Sequence, residues 1–514
     1  MGIMLGVFGC LGVSSPLSYE ELSSEPGDSR YMYRYSIIRA KMPLFFLAGA
    51  LLVLRVGPLY MQAPDAPAKT SVPGLPTASD AADFESDPRA FCASRLKKHG
   101  TAFVTAARGG ATFIGDNAAL AAIGTSAVAA PVPPELAPPF ATLPAGDADP
   151  FAAHAEAFNS VCYATIFEWI PQYKEAGFST FRFEDFIDGR VRKLRASVRS
   201  LMLRATAPYT LGVSADRLAS TLGFASDKAG NAALDKAYAA YVSSRLGASS
   251  TKSGPFGLPS LGGSSLLGGL GGGEIAKFEQ GMNQWASSQG IESASALRQL
   301  ASSVEQTTAL LCNLLAATQL HPKAAAALAI EQAAVLKGKD PKLPISTAEL
   351  EAMPLLNSFV RETMRVYPPC RPAARVLKAD LAVGAVKLPA GTLVAPEPFV
   401  AHFDPECFAE PLSFDPTRFG APGAPAPLLL PFASAPTDAL GGAAAAPAGE
   451  RLAISAAKAA YVQLRRMFDQ VQLGAEPSPV PSGYPLHTID ERVEALLKPK
   501  MYYELQRGVK KLRF

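Results

Sequence analysis

The stretch that most constrains this chain runs from Leu355 to Phe419. It opens as a helix carrying Glu362 and Arg365, three residues apart and so on one helical face. Pro368-Pro369 stop that helix, because proline lacks an N–H and drives its predecessor out of the helical basin. Short strands are predicted around Val376–Leu381 and Val386–Val394, turned at Gly384 and at Pro389-Ala390-Gly391. A proline-punctuated segment then ends in Phe414-Asp415-Pro416-Thr417-Arg418-Phe419. Taken alone, Glu362 and Arg365 read as an ordinary solvated i,i+3 pair.

The order is what changes that reading. Glu-x-x-Arg, Pro-Pro, Arg375, two short strands and Phe-Asp-Pro-x-Arg-Phe together resemble the C-terminal core of the cytochrome P-450 superfamily. The resemblance implies a mainly α fold with small β-sheets. It also implies a buried ionic network of Glu362, Arg365 and Arg418 beneath a heme, with Arg375 and Gly449 at the cofactor. Upstream, Ser302-Ser303-Val304-Glu305-Gln306-Thr307 and then His321-Pro322 are similar to the family's long helix across the heme face. In that register Glu305 takes the acid position, Gln306 stands where threonine is usual, and Thr307 comes next. These three are the candidate catalytic residues, since an acid and a hydroxyl relay protons to bound oxygen in the family. A plain core helix is the competing reading.

The segment that should supply the iron ligand departs from the family. Ala448-Gly449-Glu450-Arg451-Leu452-Ala453 matches the family's residues just after the ligand cysteine, which puts Pro447 at the cysteine position and Ala445 where a propionate-binding arginine is usual. Leu440-Gly441-Gly442-Ala443 fill the slots before it. No cysteine lies between Cys407 and the C-terminus, so the metal ligand is expected to be missing and heme binding is in doubt. The Ala/Gly-rich stretch reads equally as low-complexity drift or an error in the assembled gene. Its length, with Gln306 and the Phe91-x-x-Ser94-Arg95-x-x-Lys98 pattern, resembles the allene oxide synthase and hydroperoxide lyase branch.

Composition bounds the rest. The chain has 514 residues, 48% hydrophobic and 18% charged, with net charge +3, enough for a large core and without a nucleic-acid signature. Its six cysteines show neither paired nor metal-type spacing. Residues 1–76 are predicted to be a targeting or membrane-anchor segment with a Pro-rich hinge. The apolar run Met42–Leu54 comes after Arg30, Arg34, Arg39 and Lys41, as in a signal anchor, although a buried helix is the alternative. Residues 77–514 form the family-like domain, with insertions near 125–150, 249–273 and 420–449.

Asp87-Pro88 should cap a helix reaching about Lys98, and 104–114 should form a hairpin turned at Arg108-Gly109-Gly110. The basic run Arg190, Arg192, Lys193, Arg195 and Arg199 reads as a solvated face, with redox-partner docking as the sharper alternative. His154 and His487 read as surface residues. No phosphate-binding loop, dinucleotide fingerprint, zinc-protease or nucleophile-elbow motif is present.

Three functions are expected from these features. One is a membrane-attached heme monooxygenase or oxidoreductase acting on a hydrophobic, lipid-like substrate with a redox partner, in the endoplasmic reticulum or alternatively a plastid. Another is a fatty-acid hydroperoxide isomerase or lyase. The last is a heme-free, non-catalytic binding member of the fold.

Overall fold

The computed structural model describes residues 72–124, 128–131, 150–170, 190–250, 272–340, 343–384, 386–419, 448–474, 477–481 and 486–500. The expected anchor at Met42–Leu54, Pro447 and nearly all of the 420–449 insertion lie outside them. Among the described residues, no helix is long and apolar enough to cross a membrane.

Helices α1 (Asp80–Ser86) and α2 (Pro88–His99) lead into strands β1 (Ala102–Val104) and β2 (Thr112–Ile114). Asp87 caps α2 as expected, its carboxylate accepting the Ala90 N–H at 2.9 Å. The hairpin turn is held by Arg108, which takes a left-handed φ of 52° without being glycine. Such a conformation costs of order 1–2 kcal/mol. It is fixed by an ion pair from Arg108 Nη1 to Glu397 at 3.2 Å and by donation to the Pro372 carbonyl. Behind the hairpin, buried Asp80 accepts from Thr105 Oγ1 at 2.8 Å and Ala106 N at 2.9 Å, and pairs with Arg95.

The chain continues through α3 (Asn117–Gly124), β3 (Ala129–Pro131), α4 (Pro150–Trp169), β4 (Arg190–Lys193), α5 (Leu194–Thr210), α6 (Ala215–Thr221) and α7 (Lys228–Ser250). Next come α8 (Gly272–Ser288), α9 (Ser293–Leu320), α10 (Pro322–Val335), α11 (Thr347–Glu351) and α12 (Pro354–Val366). Helix α9 packs on α5 and on α14 (Ala448–Met467), while α4 packs on the same two, so these four form the central bundle. Every residue of α9 from Leu300 to Ala317 is buried, including the polar Ser302, Ser303, Glu305, Gln306, Thr307, Thr308 and Asn313.

The small sheets sit beside the bundle. In place of the two strands expected at Val376–Leu381 and Val386–Val394 stand four shorter ones, β5 (Arg375–Leu377), β6 (Leu381–Val383), β7 (Val386–Leu388) and β8 (Leu393–Pro396), turned at Gly384 and Gly391 with φ of 56° and 84°. The five-stranded sheet has the order β1-β2-β8-β5-β3, with β2 and β8 parallel and Phe113 opposite Ala395. After β8 the chain enters α13 (Pro398–Ala401). Gly115 is required there, because a Cβ would lie 2.7 Å from the Ala401 nitrogen. Strand β4 pairs with β12 (Glu494–Pro499), which pairs with β9 (Phe468–Leu473). The strands β10 (Val480–Pro481) and β11 (His487–Thr488) form a separate pair.

Candidate functional site

Helix α12 is placed from both ends. Pro354 begins it, where the missing N–H costs nothing, and Glu331 of α10 accepts the free Leu355 and Leu356 N–H groups at 2.7 and 2.9 Å. Its buried face carries Glu362 and Arg365, both side chains 0% exposed. Arg365 Nε and Nη2 donate to the two Glu362 oxygens, each at 2.7 Å. The remaining donors reach the carbonyls of His402 at 2.9 Å, Pro411 at 2.7 Å and Ser413 at 2.9 Å. All the N–H groups of the guanidinium are thereby used, the condition under which a buried charge is tolerable. Arg418 closes the network at 3.3 Å from Glu362 Oε1, and the Asp415 N–H donates to the same oxygen at 2.8 Å. The pair is therefore a buried clamp on the 402–418 segment and not a solvated surface pair.

His402, inside this clamp, donates its Nδ1–H to the Arg365 carbonyl, 3.0 Å away. Burial drives its pKa down to about 3, so it is neutral.

On α9, Glu305, Gln306 and Thr307 are all buried. Glu305 Oε1 accepts from Arg199 Nε of α5 at 2.9 Å. Thr307 Oγ1 donates to the Ser303 carbonyl at 2.6 Å, so its hydroxyl proton serves the helix backbone. The Ser302 and Ser303 hydroxyls and Glu305 Oε2 are buried without a hydrogen-bond partner among the described residues.

Arg375 opens β5, opposite Pro131, half-buried, with one long donation to the Ala129 carbonyl at 3.4 Å. Its Nε is buried without a partner among the described residues, and burial lowers its pKa. Gly449 lies in the first turn of α14. His154 is half-buried, edge-on to Tyr209 at 6.0 Å.

Two expectations need correction. His487 is buried, not on the surface: its backbone N–H donates to the Pro369 carbonyl and its own carbonyl accepts from Asn313, which locks β11 under α9. Burial first, then Arg371 and Arg89, pushes its pKa down to about 3. The basic run is not one solvated face either. Arg190–Lys193 is strand, and Arg195 and Arg199 are 2% and 5% exposed. Their i,i+4 spacing among Val198, Leu201 and Met202 is the signal in the sequence that points inward. The completely buried Arg371, paired with Glu85 at 3.2 Å, carries no signal of that kind.

Residues 292–435 match the family model described as Cytochrome P-450. The fold is similar to that of a retinoic acid-bound cyanobacterial CYP120A1, with TM-score 0.56 and 17% identity over 84% of this chain and 100% of that one. It is also similar to the heme domain of a mutant cytochrome P-450DA, with TM-score 0.59 and 14% identity over 85% and 99% of the two chains. Residues 292–435 thus carry the cytochrome P-450 pattern, on a fold similar to that of solved cytochrome P-450 structures.

Among relatives, a probable cytochrome P-450 4d21 of Drosophila melanogaster is 28% identical over 176 residues, 34% of this chain and 33% of that protein. The human mitochondrial 25-hydroxyvitamin D-1 alpha hydroxylase is 35% identical over 158 residues, 30% of each. The aligned part spans about a third of the length of the first of these relatives.

The family matched over residues 292–435 implies heme as the cofactor. The donor set does not fit heme held by a cysteine thiolate. The chain has no cysteine after Cys407. Among the described thiols, burial raises Cys312 and Cys370 to about 12 and Cys407 to about 11, and pushes Cys92 and Cys162 up as well. Cys407 also faces Asp404, which disfavours a thiolate further, and its sulfur is engaged by Asn117 Nδ2 at 3.1 Å. Cys370 lies in an isolated bridge to Leu486, its sulfur near the Arg371 carbonyl. None is the exposed, electropositive thiol that a metal ligand requires.

Proposed function

We propose that this chain is a cytochrome P-450 superfamily member that binds a hydrophobic small molecule and does not perform thiolate-heme monooxygenation. The observation that carries this reading is the donor set: Pro447 stands in the register of the ligand cysteine, and every described thiol is shifted toward its protonated form. Proline offers iron no donor atom. Glu305 supports the same reading, because its carboxylate is already committed to Arg199. An acid fixed in a buried ion pair is poorly suited to carrying a proton. Should Glu305, Gln306 and Thr307 relay protons after all, that relay must work through the Glu305 oxygen that Arg199 leaves free.

The hydrophobic ligand rests on the company the chain keeps. One structural neighbour holds retinoic acid and one relative hydroxylates a vitamin D derivative. Membrane association through the apolar run at Met42–Leu54 brings the protein to the phase where such molecules dissolve. A redox partner belongs to the monooxygenase alternative, and the hydroperoxide isomerase alternative needs none.

The test uses the full-length protein purified without added heme, titrated with a fluorescent long-chain fatty acid. Saturable binding displaced by unlabelled fatty acid is expected, with no product from that acid when a reductase and reductant are added. Absence of saturable binding, or reductase-dependent hydroxylation, contradicts the proposal. Turnover of a fatty-acid hydroperoxide without reductase selects the isomerase instead.

A further inference from the structure

Arg195 and Arg199 stand on the inner face of α5 and meet two carboxylates from distant parts of the chain. Arg199 Nε pairs with Glu305 of α9 at 2.9 Å, and Arg199 Nη2 pairs with Glu491 in the turn between β11 and β12. Arg195 Nε reaches the same Glu491 oxygen at 3.2 Å. Two guanidiniums thus face two carboxylates, and Glu491 is shared between both arginines.

Exposure is uneven. The side chains of Arg195, Arg199 and Glu305 are 3%, 6% and 0% exposed, but that of Glu491 is 47% exposed. Tyr238 of α7 and Cys312 of α9 are the other titratable groups facing the cluster, both held protonated by burial. Asp490 pairs with Arg492 at 2.9 Å and also interacts electrostatically with Arg195 and Glu491.

We infer that Arg195, Arg199, Glu305 and Glu491 form an electrostatic latch that pins the 489–493 turn, and through it β12, to α5 and α9, with Glu491 as its releasing member. The geometry gives the latch its leverage. The Leu194 N–H donates to the Val493 carbonyl at 3.2 Å where β4 passes into α5, so the turn and the start of α5 share one register. Removing Glu491 leaves two buried guanidiniums against one carboxylate, and a buried unpaired charge is expensive. Ile489 and Val493 at the ends of the turn are buried in the main apolar core, so the part free to lift into water is 490–492, whereas α9 remains held by the bundle on all sides. The latch concerns the packing of the turn and not heme, so it stands independently of the proposed function.

Amide hydrogen exchange on the full-length protein tests it, with Glu491→Gln as the variant and Arg195→Gln as a milder second one that leaves the Arg199–Glu305 pair in place. Exchange at residues 490–492 and at the first turn of α5 should rise about 10-fold in Glu491→Gln, the loss of one charge-assisted bond of roughly 1.5 kcal/mol, and by a smaller factor in Arg195→Gln, because the Arg195–Glu491 contact is an ion pair without a hydrogen bond. Amides of α9 from residue 309 to 317 should stay at their wild-type rates. The latch is overturned if the turn keeps wild-type protection in both variants. It is equally overturned if exchange in α9 rises with that in the turn, since the cluster would then belong to the global core.

Discussion

Lys458 illustrates how much a single buried charge can decide. It sits on α14 at 5% exposure with its ammonium 2.5 Å from Asn357 Oδ1. Burial lowers its pKa to about 8, only partly offset by Glu351 and Glu331. The folded value lies below the unfolded one, so between about 8 and the ordinary 10.5 the unfolded chain binds more protons than the folded one. Stability from this group therefore rises as pH climbs through that window and is lowest below about pH 8. Lys458→Met is expected to stabilise the protein at pH 7, by something on the order of 1–3 kcal/mol, and to flatten that rise. Denaturant unfolding at pH 7 and pH 9.5 reads both effects; a less stable variant at pH 7 contradicts them. At this scale the sequence is least informative. His487 reads as a surface residue because nothing beside it in the chain announces Asn313 or Pro369, and those partners close around it only after folding.

Elements are legible where their logic is local. The Glu362–Arg365 pair, the proline stop of α12 and the Asp87 cap each lie within a few residues of their cause, and each is found in place. The carbonyls that complete Arg365 come from 37 to 48 residues away, and here the family pattern rather than periodicity supplies the buried reading. Arg199 and Glu305 are separated by 106 residues, so no local pattern joins them. A run of basic residues on an amphipathic helix looks solvated until the acid opposite is known. The clamp gives an element-level prediction. Glu362→Gln leaves the Arg365 guanidinium buried against a neutral amide and should cost about 3–5 kcal/mol. A fall in the denaturant midpoint with loss of protease resistance around residues 402–418 is the expected result. A stability within about 0.5 kcal/mol of wild type, the size of a neutral surface change, contradicts the clamp.

For the whole molecule, the bundle of α4, α5, α9 and α14, the five-stranded sheet and the clamp make up a fold similar to that of two solved cytochrome P-450 structures. On the proposed reading fold and chemistry part company, because a fold is set by hundreds of contacts and the heme chemistry by one donor atom. The proposed departure at Pro447 rests on the sequence alone, since a ligand's identity is a matter of residue type before it is a matter of geometry. The protonated state of the remaining thiols is not, because it depends on burial. The measurement that tests the missing-ligand reading most directly is the carbon monoxide difference spectrum of the purified protein after reconstitution with heme and reduction, beside the Pro447→Cys variant. No thiolate-type band is predicted in the wild-type chain, with its appearance in the variant; a thiolate-type band in the wild-type protein contradicts the reading.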